Sequence, residues 1–239
     1  MEITRNFKRY EKKYILSLDD YEKLLACLSE RIEPDEHPAG TVLSLYYDTE
    51  DYRLIRRSLE QPVYKEKLRL RSYGVPASTD PVFVELKKKY KGVVYKRRVS
   101  MEAGRAMAWL AGEAEAGQEG QLIREVEWFL QKNRPEPRAL IACDRRSWRG
   151  REDPQLRITF DEQIRWRETE LDLCAGDGGE ALLPPGQVLM EIKLPQTAPL
   201  WLAHLLSERK LYPVRYSKYG KAYQNNILPE FINGVILHA

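Results

Sequence analysis

The feature that most constrains this chain is a strand-like stretch in which every second residue is basic. Residues 65–71 read KEKLRLR, and their alternate positions carry two lysines and two arginines. Successive side chains of a strand point to opposite faces, so one face would carry only cations, spaced about 7 Å apart. The leucines between them face the other way and indicate a buried surface. Such a row either lies on a solvated sheet face, where basic residues protect an edge, or needs a compensating anion.

The same alternation recurs along the chain. Charged residues stand two apart in YEKKY at 10–14 and YKRRV at 95–99, and four apart in RITFD at 157–161. They do so again in VELKKK at 84–89 and LMEIK at 189–193, and in several of these stretches apolar residues occupy the alternate positions. If the apolar face packs under helices, the charged face must line something else. A sheet closed on itself around a charged lumen explains this better than one wet face, which stays open as an alternative.

The charge of such a lumen indicates its ligand. Lysines and arginines that repel one another in an enclosed space require an anion of high charge density, and polyphosphate is the obvious one. The net charge of the whole chain is only +3, from 39 basic and 36 acidic residues, so this basic character must be local. Three scattered histidines and three separated cysteines form no zinc site. Any metal is therefore predicted to be Mg or Mn, held by carboxylates.

The order of the predicted elements favours an antiparallel α+β domain. A first strand is followed by a helix that Ser17 could cap, with Asp20 three residues later. Two strands around YKGV at 90–93 predict a hairpin. Helical patterning then takes over, strands resume after residue 138, and two more helices follow. Because the helices interrupt the strands without regular βαβ alternation, an antiparallel α+β fold is favoured. The length of 239 residues fits one large domain or two smaller ones.

Composition bears on the location of the protein. A chain with 43% hydrophobic and 31% charged residues can bury a core and keep a charged surface or cavity. No run reaches the 18 apolar residues of a membrane span, and the polar start MEITRNFKRYEKKY is no signal peptide. The odd number of distant cysteines indicates free thiols in a reducing compartment. We therefore predict a cytoplasmic protein without a membrane span.

Taken in order, these stretches resemble those of the triphosphate tunnel metalloenzymes, and most closely the VTC (vacuolar transporter chaperone) domain, a polyphosphate polymerase module. Eight stretches match from the first strand to the last helix, including LRLRSYG at 68–74, CDRRSW at 143–148 and YSKYGKAY at 216–223. The resemblance implies that residues 1–239 form a single domain, a closed antiparallel eight-stranded β tunnel with helices packed outside. It also implies that the tunnel binds a triphosphate together with Mg or Mn.

The resemblance further implies the residues of the site. The phosphate-binding basic positions fall on Lys13, Arg69, Arg71, Lys87, Lys96, Arg145, Arg157 and Lys218. The metal-binding position falls on Glu191, with Glu11 and Glu85 as further acidic positions. We predict that Lys67, Arg98 and Lys193 complete the site as cofactor-binding residues. Cys143 stands where the family commonly has tyrosine, and because a thiol is a poor donor, one phosphate contact is predicted to be lost.

The implied activity is metal-dependent phosphoryl transfer by positioning and charge neutralisation. Synthesis of polyphosphate from ATP is favoured, and hydrolysis of an inorganic or nucleoside triphosphate is the alternative. A third reading is a non-catalytic module that binds polyphosphate. No nucleic acid is expected, because RNA-binding proteins usually add exposed aromatic platforms among their basic residues. The sequence leaves open the acceptor, the oligomeric state and a membrane partner that receives the product.

Overall fold

The computed structural model of the protein describes residues 10–91, 93–194 and 197–230. The strands in this part of the chain are β1 (Tyr10–Ser17), β2 (Ile32–Asp48), β3 (Tyr64–Tyr73), β4 (Pro81–Tyr90), β5 (Val93–Glu102), β6 (Glu136–Gly150), β7 (Arg157–Arg167), β8 (Glu180–Ala181) and β9 (Gln187–Leu194). The α-helices are α1 (Leu18–Leu28), α2 (Arg53–Leu59), α3 (Ala103–Ala111), α4 (Gln121–Asn133), α5 (Leu200–Glu208) and α6 (Lys218–Ala222). The chain continues from α6 into a π-helical turn over Tyr223–Ile227. Within the described ranges, no helix combines the length and the apolar composition that crossing a membrane requires.

The strands form one antiparallel sheet. Their order is β1-β9-β7-β6-β2-β3-β4-β5, and β8 pairs with β7 outside this path. The prediction of a closed eight-stranded tunnel is wrong, because the order ends at β1 on one side and at β5 on the other. Among the described residues, β1 pairs as a strand only with β9 and β5 only with β4. The α+β class agrees with the prediction, whereas the sheet is open.

Closure could not be inferred from the alternation of side chains. Alternation reports which face of a strand is buried, whereas closure depends on which strand edges exchange backbone hydrogen bonds. Side chains of both outer strands, Lys13 on β1 and Lys96 on β5, line the same cavity. The sheet is therefore strongly curved, and its charged face is concave although its edges do not pair.

The local signals for several elements are confirmed. The Oγ of Ser17 accepts a hydrogen bond from the backbone N of Asp20 at 3.1 Å, which caps α1 as predicted. The hairpin between β4 and β5 is present, with Tyr90 opposite Val93. In β3 the leucines between the cations, Leu68 and Leu70, are fully buried.

Apolar clusters fix the curvature from the convex side. Leu68 and Leu70 pack with residues of α3 and α4, including Trp109 and Phe129. A second cluster joins β1, β7 and β9 to α1 and α5. Burying a leucine or phenylalanine side chain contributes about 1.5–3 kcal/mol, so these contacts stabilise the fold enough to hold a repulsive charged face on the other side.

The helix α6 is an exception to the expectation that helices pack outside the sheet. The ring of Tyr219 on α6 stacks on Tyr46, whose side chain lines the cavity, with ring centroids 4.7 Å apart. The hydroxyl of Tyr219 donates to the buried carboxylate of Asp48 at 2.9 Å. The same carboxylate accepts hydrogen bonds from the backbone N of Leu54 and of Ile55 in α2, both at 2.9 Å. Asp48 therefore joins α2 and α6 and positions α6 over the concave face.

Candidate functional site

A cavity of about 190 Å³ lies on the concave, charged face of the sheet. The basic side chains that line it come from β1, β3, β4, β5, β6, β9 and α6 and are Lys13, Lys67, Arg69, Arg71, Lys87, Lys96, Arg145, Lys193 and Lys218. The acidic side chains that line it are Glu11 and Glu191. The structure thus brings these predicted site residues together, and cations far outnumber carboxylates among them.

The strand register explains why the cations meet. Lys67 on β3 lies opposite Lys87 on β4, which lies opposite Lys96 on β5. Residues directly opposite in an antiparallel pair share a face, and like charges there destabilise the sheet. Of the three lysines, which all lie in the described part of the chain, only Lys96 has a carboxylate within ion-pair distance, so the row costs folding stability when no anion is bound.

One group of cations is held by Glu85, whose side chain is fully buried. Its carboxylate contacts Nε of Arg69 and Nζ of Lys96, each at 2.6 Å, and lies 3.9 Å from Nε of Arg71. Burial alone would raise the pKa of Glu85, but these three cations outweigh it and hold the pKa far below its usual value. Glu85 therefore positions the cations as a permanently ionised carboxylate.

A second buried carboxylate, Asp161 on β7, holds another group. Arg145 binds it through two parallel hydrogen bonds, from Nε at 2.6 Å and from Nη2 at 2.7 Å. Nζ of Lys218 on α6 also donates to it. Burial works against ionisation, but Lys218 and Arg145 lower the pKa of Asp161 to about 2. Asp161 therefore fixes the position of α6 relative to β6 and β7 through charge-assisted contacts.

The carboxylates that face the cavity share one lysine. Nζ of Lys13 lies 3.2 Å from Glu11 and 3.0 Å from Glu191. Glu191 also lies near Lys218, at 3.5 Å, and Lys193, at 3.8 Å. Burial would raise the pKa of Glu191, but Lys218, Lys13 and Lys193 lower it well below its usual value. Both carboxylates thus hold a cation at one point of the cavity wall.

Three lysines of the cavity have pKa values below the ordinary value of a lysine. Burial lowers the pKa of Lys67 to about 8, and the neighbouring positive charges of Lys87 and Lys65 act in the same direction. Burial also lowers the pKa of Lys193 to about 8 and that of Lys96 to about 7, although each has a glutamate close by. The protonated, charged form of these lysines is therefore less favourable in the empty cavity than in water. An anion that enters the cavity stabilises this charged form.

Tyr46 is a site residue that the sequence reading missed. Its hydroxyl accepts a hydrogen bond from Nη1 of Arg69 at 3.1 Å. Burial works against its ionisation, but Arg69, Arg71 and Lys67 outweigh burial and lower the pKa of Tyr46 to about 8. The sequence signal was weak because the stretch VLSLYY at 42–47 carries no charged residue on either face of the strand. The useful signal is its register, which places Tyr46 opposite Arg69 and Ser44 opposite Arg71.

Besides Glu85, which is buried behind the cations, two predicted site residues lie outside the cavity lining, Arg98 and Arg157. Arg157 binds Asp35 at 2.7 Å near the start of β7. The guanidinium of Arg98 lies 4.4 Å from the centre of the Phe83 ring, in cation–π geometry. Alternation placed both on the charged face correctly, but the strands extend beyond the cavity. Cys143 does line the cavity, and burial raises the pKa of its thiol, so it stays protonated.

The donor set can be tested against the divalent metal that the fold family implies. The described residues contain no group of three or more histidine, cysteine or carboxylate side chains suited to hold a metal. Mg commonly uses only one or two protein carboxylates, with substrate phosphates completing its coordination. Glu11 and Glu191 offer such a pair, since both already hold the Lys13 ammonium. The residues therefore fit a metal that binds together with a phosphorylated substrate.

Comparison with models of known protein families shows to which family the chain belongs. The model of the VTC domain matches residues 8–226. The chain belongs to the VTC domain family. Family membership supports an activity related to triphosphate or polyphosphate, although it leaves the reaction unspecified. No curated protein matches the sequence significantly.

A search of solved structures also finds matches to this chain. A candidate adenylate cyclase from Bacillus halodurans is 13% identical, with 88% of this chain and 95% of that chain covered and a TM-score of 0.53. A candidate adenylate cyclase from Vibrio parahaemolyticus is 11% identical, with coverage of 91% and 98% and a TM-score of 0.47. At 13% identity, the likeness to the Bacillus halodurans protein shows that the two proteins share a fold.

Proposed function

We propose that the cavity binds the phosphates of a nucleoside triphosphate or polyphosphate and promotes metal-dependent phosphoryl transfer, with ATP as donor and a polyphosphate chain as acceptor. The observation that carries this proposal is the row of Lys67, Lys87 and Lys96 across three strands. Such a row destabilises the protein without ligand, and a bound polyanion offsets this destabilisation. Synthesis is proposed ahead of hydrolysis because the stretches of the sequence resemble a polyphosphate polymerase module.

The arginines and the lysines of the cavity would have different roles in binding. Arg69 and Arg145 are fixed by buried carboxylates and present planar guanidinium groups, which suit forked contacts with phosphate oxygens. Lys67 and Lys87 have no carboxylate within ion-pair distance among the described residues, and Lys67 donates a long hydrogen bond to Oγ of Ser217 at 3.4 Å. Both ammonium groups could therefore turn toward a substrate. Positioned cations of this kind stabilise the charge that develops on the transferring phosphoryl group.

The proposed reaction breaks the bond between the γ-phosphorus of ATP and the oxygen that bridges it to the β-phosphorus. An oxygen of the terminal phosphate of the acceptor chain forms the new bond, so the chain grows by one phosphate and ADP leaves. Arg69, Arg71 and Arg145 would bind the oxygens around the reacting phosphorus. No covalent protein intermediate is needed, since positioning and charge neutralisation suffice.

Glu11 and Glu191 would hold the metal in this proposal. The chemistry that a divalent cation would supply there is the neutralisation of phosphate charge during transfer. Glu85 was predicted as a third acidic position, but its carboxylate is enclosed by Arg69, Arg71 and Lys96. We therefore assign to Glu85 the positioning of these cations.

The test is incubation with ATP and Mn or Mg, followed by separation of orthophosphate from polyphosphate chains. We expect polyphosphate and ADP from the wild type. The variant Glu191→Gln should lose turnover yet keep tripolyphosphate binding, because removing a carboxylate from a basic cavity leaves its attraction for anions. Orthophosphate as the sole product would show a triphosphatase instead. Full turnover in Glu191→Gln would contradict the metal assignment.

A further inference from the structure

We propose that a second basic pocket beside the cavity binds the distal phosphates of a linear polyphosphate, so that the preferred ligand is a chain longer than a triphosphate. This inference rests on the proposed function and names its substrate class. The distal pocket has a volume of about 260 Å³ and lies between α2, β3 and the end of α4. Its basic side chains are Arg53, Arg57, Lys65 and Lys132.

The cations of the distal pocket are poorly neutralised. Within the described ranges, Arg53, Arg57 and Lys65 have no carboxylate within ion-pair distance, and Nζ of Lys65 donates to the backbone O of Ser58 at 3.0 Å. The only acidic side chain among the described residues that line this pocket is Glu66. Its carboxylate already accepts a hydrogen bond from the hydroxyl of Tyr64 at 2.7 Å. The pocket therefore keeps a net positive charge that suits an anion.

A continuous row of lysines connects the distal pocket to the cavity. Lys67 lies opposite Lys87, and two residues further along β3 Lys65 lies opposite Lys89. Each pair shares the concave face, where like charges repel. At the rise of an antiparallel strand, the row from Arg69 to Lys65 spans about 14 Å. A linear polyanion that starts in the cavity and follows β3 would meet cations along this whole distance.

The chemistry of the distal pocket favours polyphosphate over single-stranded RNA. Proteins that bind single strands combine cations with aromatic side chains on which the bases stack. Among the described residues that line the distal pocket, one is aromatic, Tyr64, and its hydroxyl is engaged by Glu66. A chain of phosphates needs no stacking surface, because each phosphate adds charge and acceptor oxygens.

The test compares the affinities of tripolyphosphate and long-chain polyphosphate in the full chain. In the double variant Arg53→Ala with Arg57→Ala, the affinity for long-chain polyphosphate should fall about tenfold, as two exposed charge contacts are lost. Tripolyphosphate affinity should stay at the wild-type value. The matched control is Arg105→Ala with Arg124→Ala, two exposed arginines outside both pockets, which should leave both affinities unchanged.

Other outcomes would overturn the inference. Unchanged long-chain affinity in the Arg53/Arg57 variant, an equal loss for tripolyphosphate, or an equal loss in the control would each show that the distal pocket binds no phosphate chain. Single-stranded RNA that binds as tightly as the long chain and responds to the same variant would assign the pocket to nucleic acid. Failure of the proposed function is distinguishable, since the wild type would then bind no tripolyphosphate.

Discussion

At the scale of residues, the site depends on two fully buried carboxylates, Glu85 and Asp161, that lie behind the cations. From the sequence alone, removal of Arg69 and Arg71 is expected to leave the fold intact or to relieve repulsion. The contact between Arg69 and Glu85 changes that expectation. A buried carboxylate that loses its partner is strongly destabilising, so these arginines stabilise the fold as well as the site.

The corresponding prediction concerns Glu85→Gln. This change removes the charge that holds Arg69, Arg71 and Lys96, and the free energy of unfolding should fall by about 3–5 kcal/mol. Urea denaturation without ligand measures it. Glu125→Gln is the control, since Glu125 pairs with Lys88 and Arg97 on the outer side of the sheet and should cost about 1 kcal/mol or less. Equal losses in the two variants would mean that Glu85 is an ordinary ion-pair partner.

At the scale of elements, the sequence predicted those whose signals are local. Alternation predicted β3 and the hairpin of β4 and β5, and the Ser17 cap predicted the start of α1. The short helix α2 was missed because seven residues show too little of the helical period. Its cap was also hidden, since the carboxylate that accepts from Leu54 and Ile55 belongs to Asp48, several residues upstream.

The candidate site, too, could be predicted from the sequence only where its signals are local. The alternation of β1, β3, β4, β5 and β9 was enough to predict most of the cations that line the cavity. Tyr46 and the role of Asp161 needed the register between β2, β3, β6 and β7, which is set by contacts distant in sequence. Arg157 was misplaced because the pattern gives the face of a residue but not its distance from the cavity. The open edges of the sheet could not be predicted either, because alternation does not show which strands pair.

At the scale of the whole molecule, a net charge of +3 conceals a strong local concentration of positive charge. The pKa values of about 7 for Lys96 and about 8 for Lys67 and Lys193 show how far the empty cavity disfavours that charge. A bound polyanion favours the protonated lysines and raises these pKa values. Binding is therefore linked to proton uptake in the window just above neutral pH.

We expect tripolyphosphate binding at pH 8 to take up protons. Well below pH 7 the lysines are already protonated in the free protein. As the pH rises through 7 and 8 they lose protons, which must be taken up again from the solvent on binding, so the lysine contribution to affinity decreases. Calorimetry in two buffers with different ionisation enthalpies measures the uptake. Lys67→Ala should reduce it relative to the wild type. An uptake unaffected by this variant would mean that Lys67 is fully protonated or does not contact the anion.

If the uncompensated lysines of the cavity exist to hold a polyanion, then Lys67→Ala with Lys87→Ala separates binding from stability most directly. Thermal melts with and without tripolyphosphate are the measurement. Without ligand the variant should melt at the wild-type temperature or above it, because repulsion is relieved. Binding should weaken by about 3 kcal/mol or more, since charge-assisted contacts contribute roughly 1.5–3 kcal/mol each, so the ligand-induced rise should shrink. Lys12→Ala with Lys88→Ala, outside the cavity lining, should keep the full rise. Equal rises in the Lys67/Lys87 variant and the wild type would mean that the cations form only a solvated face.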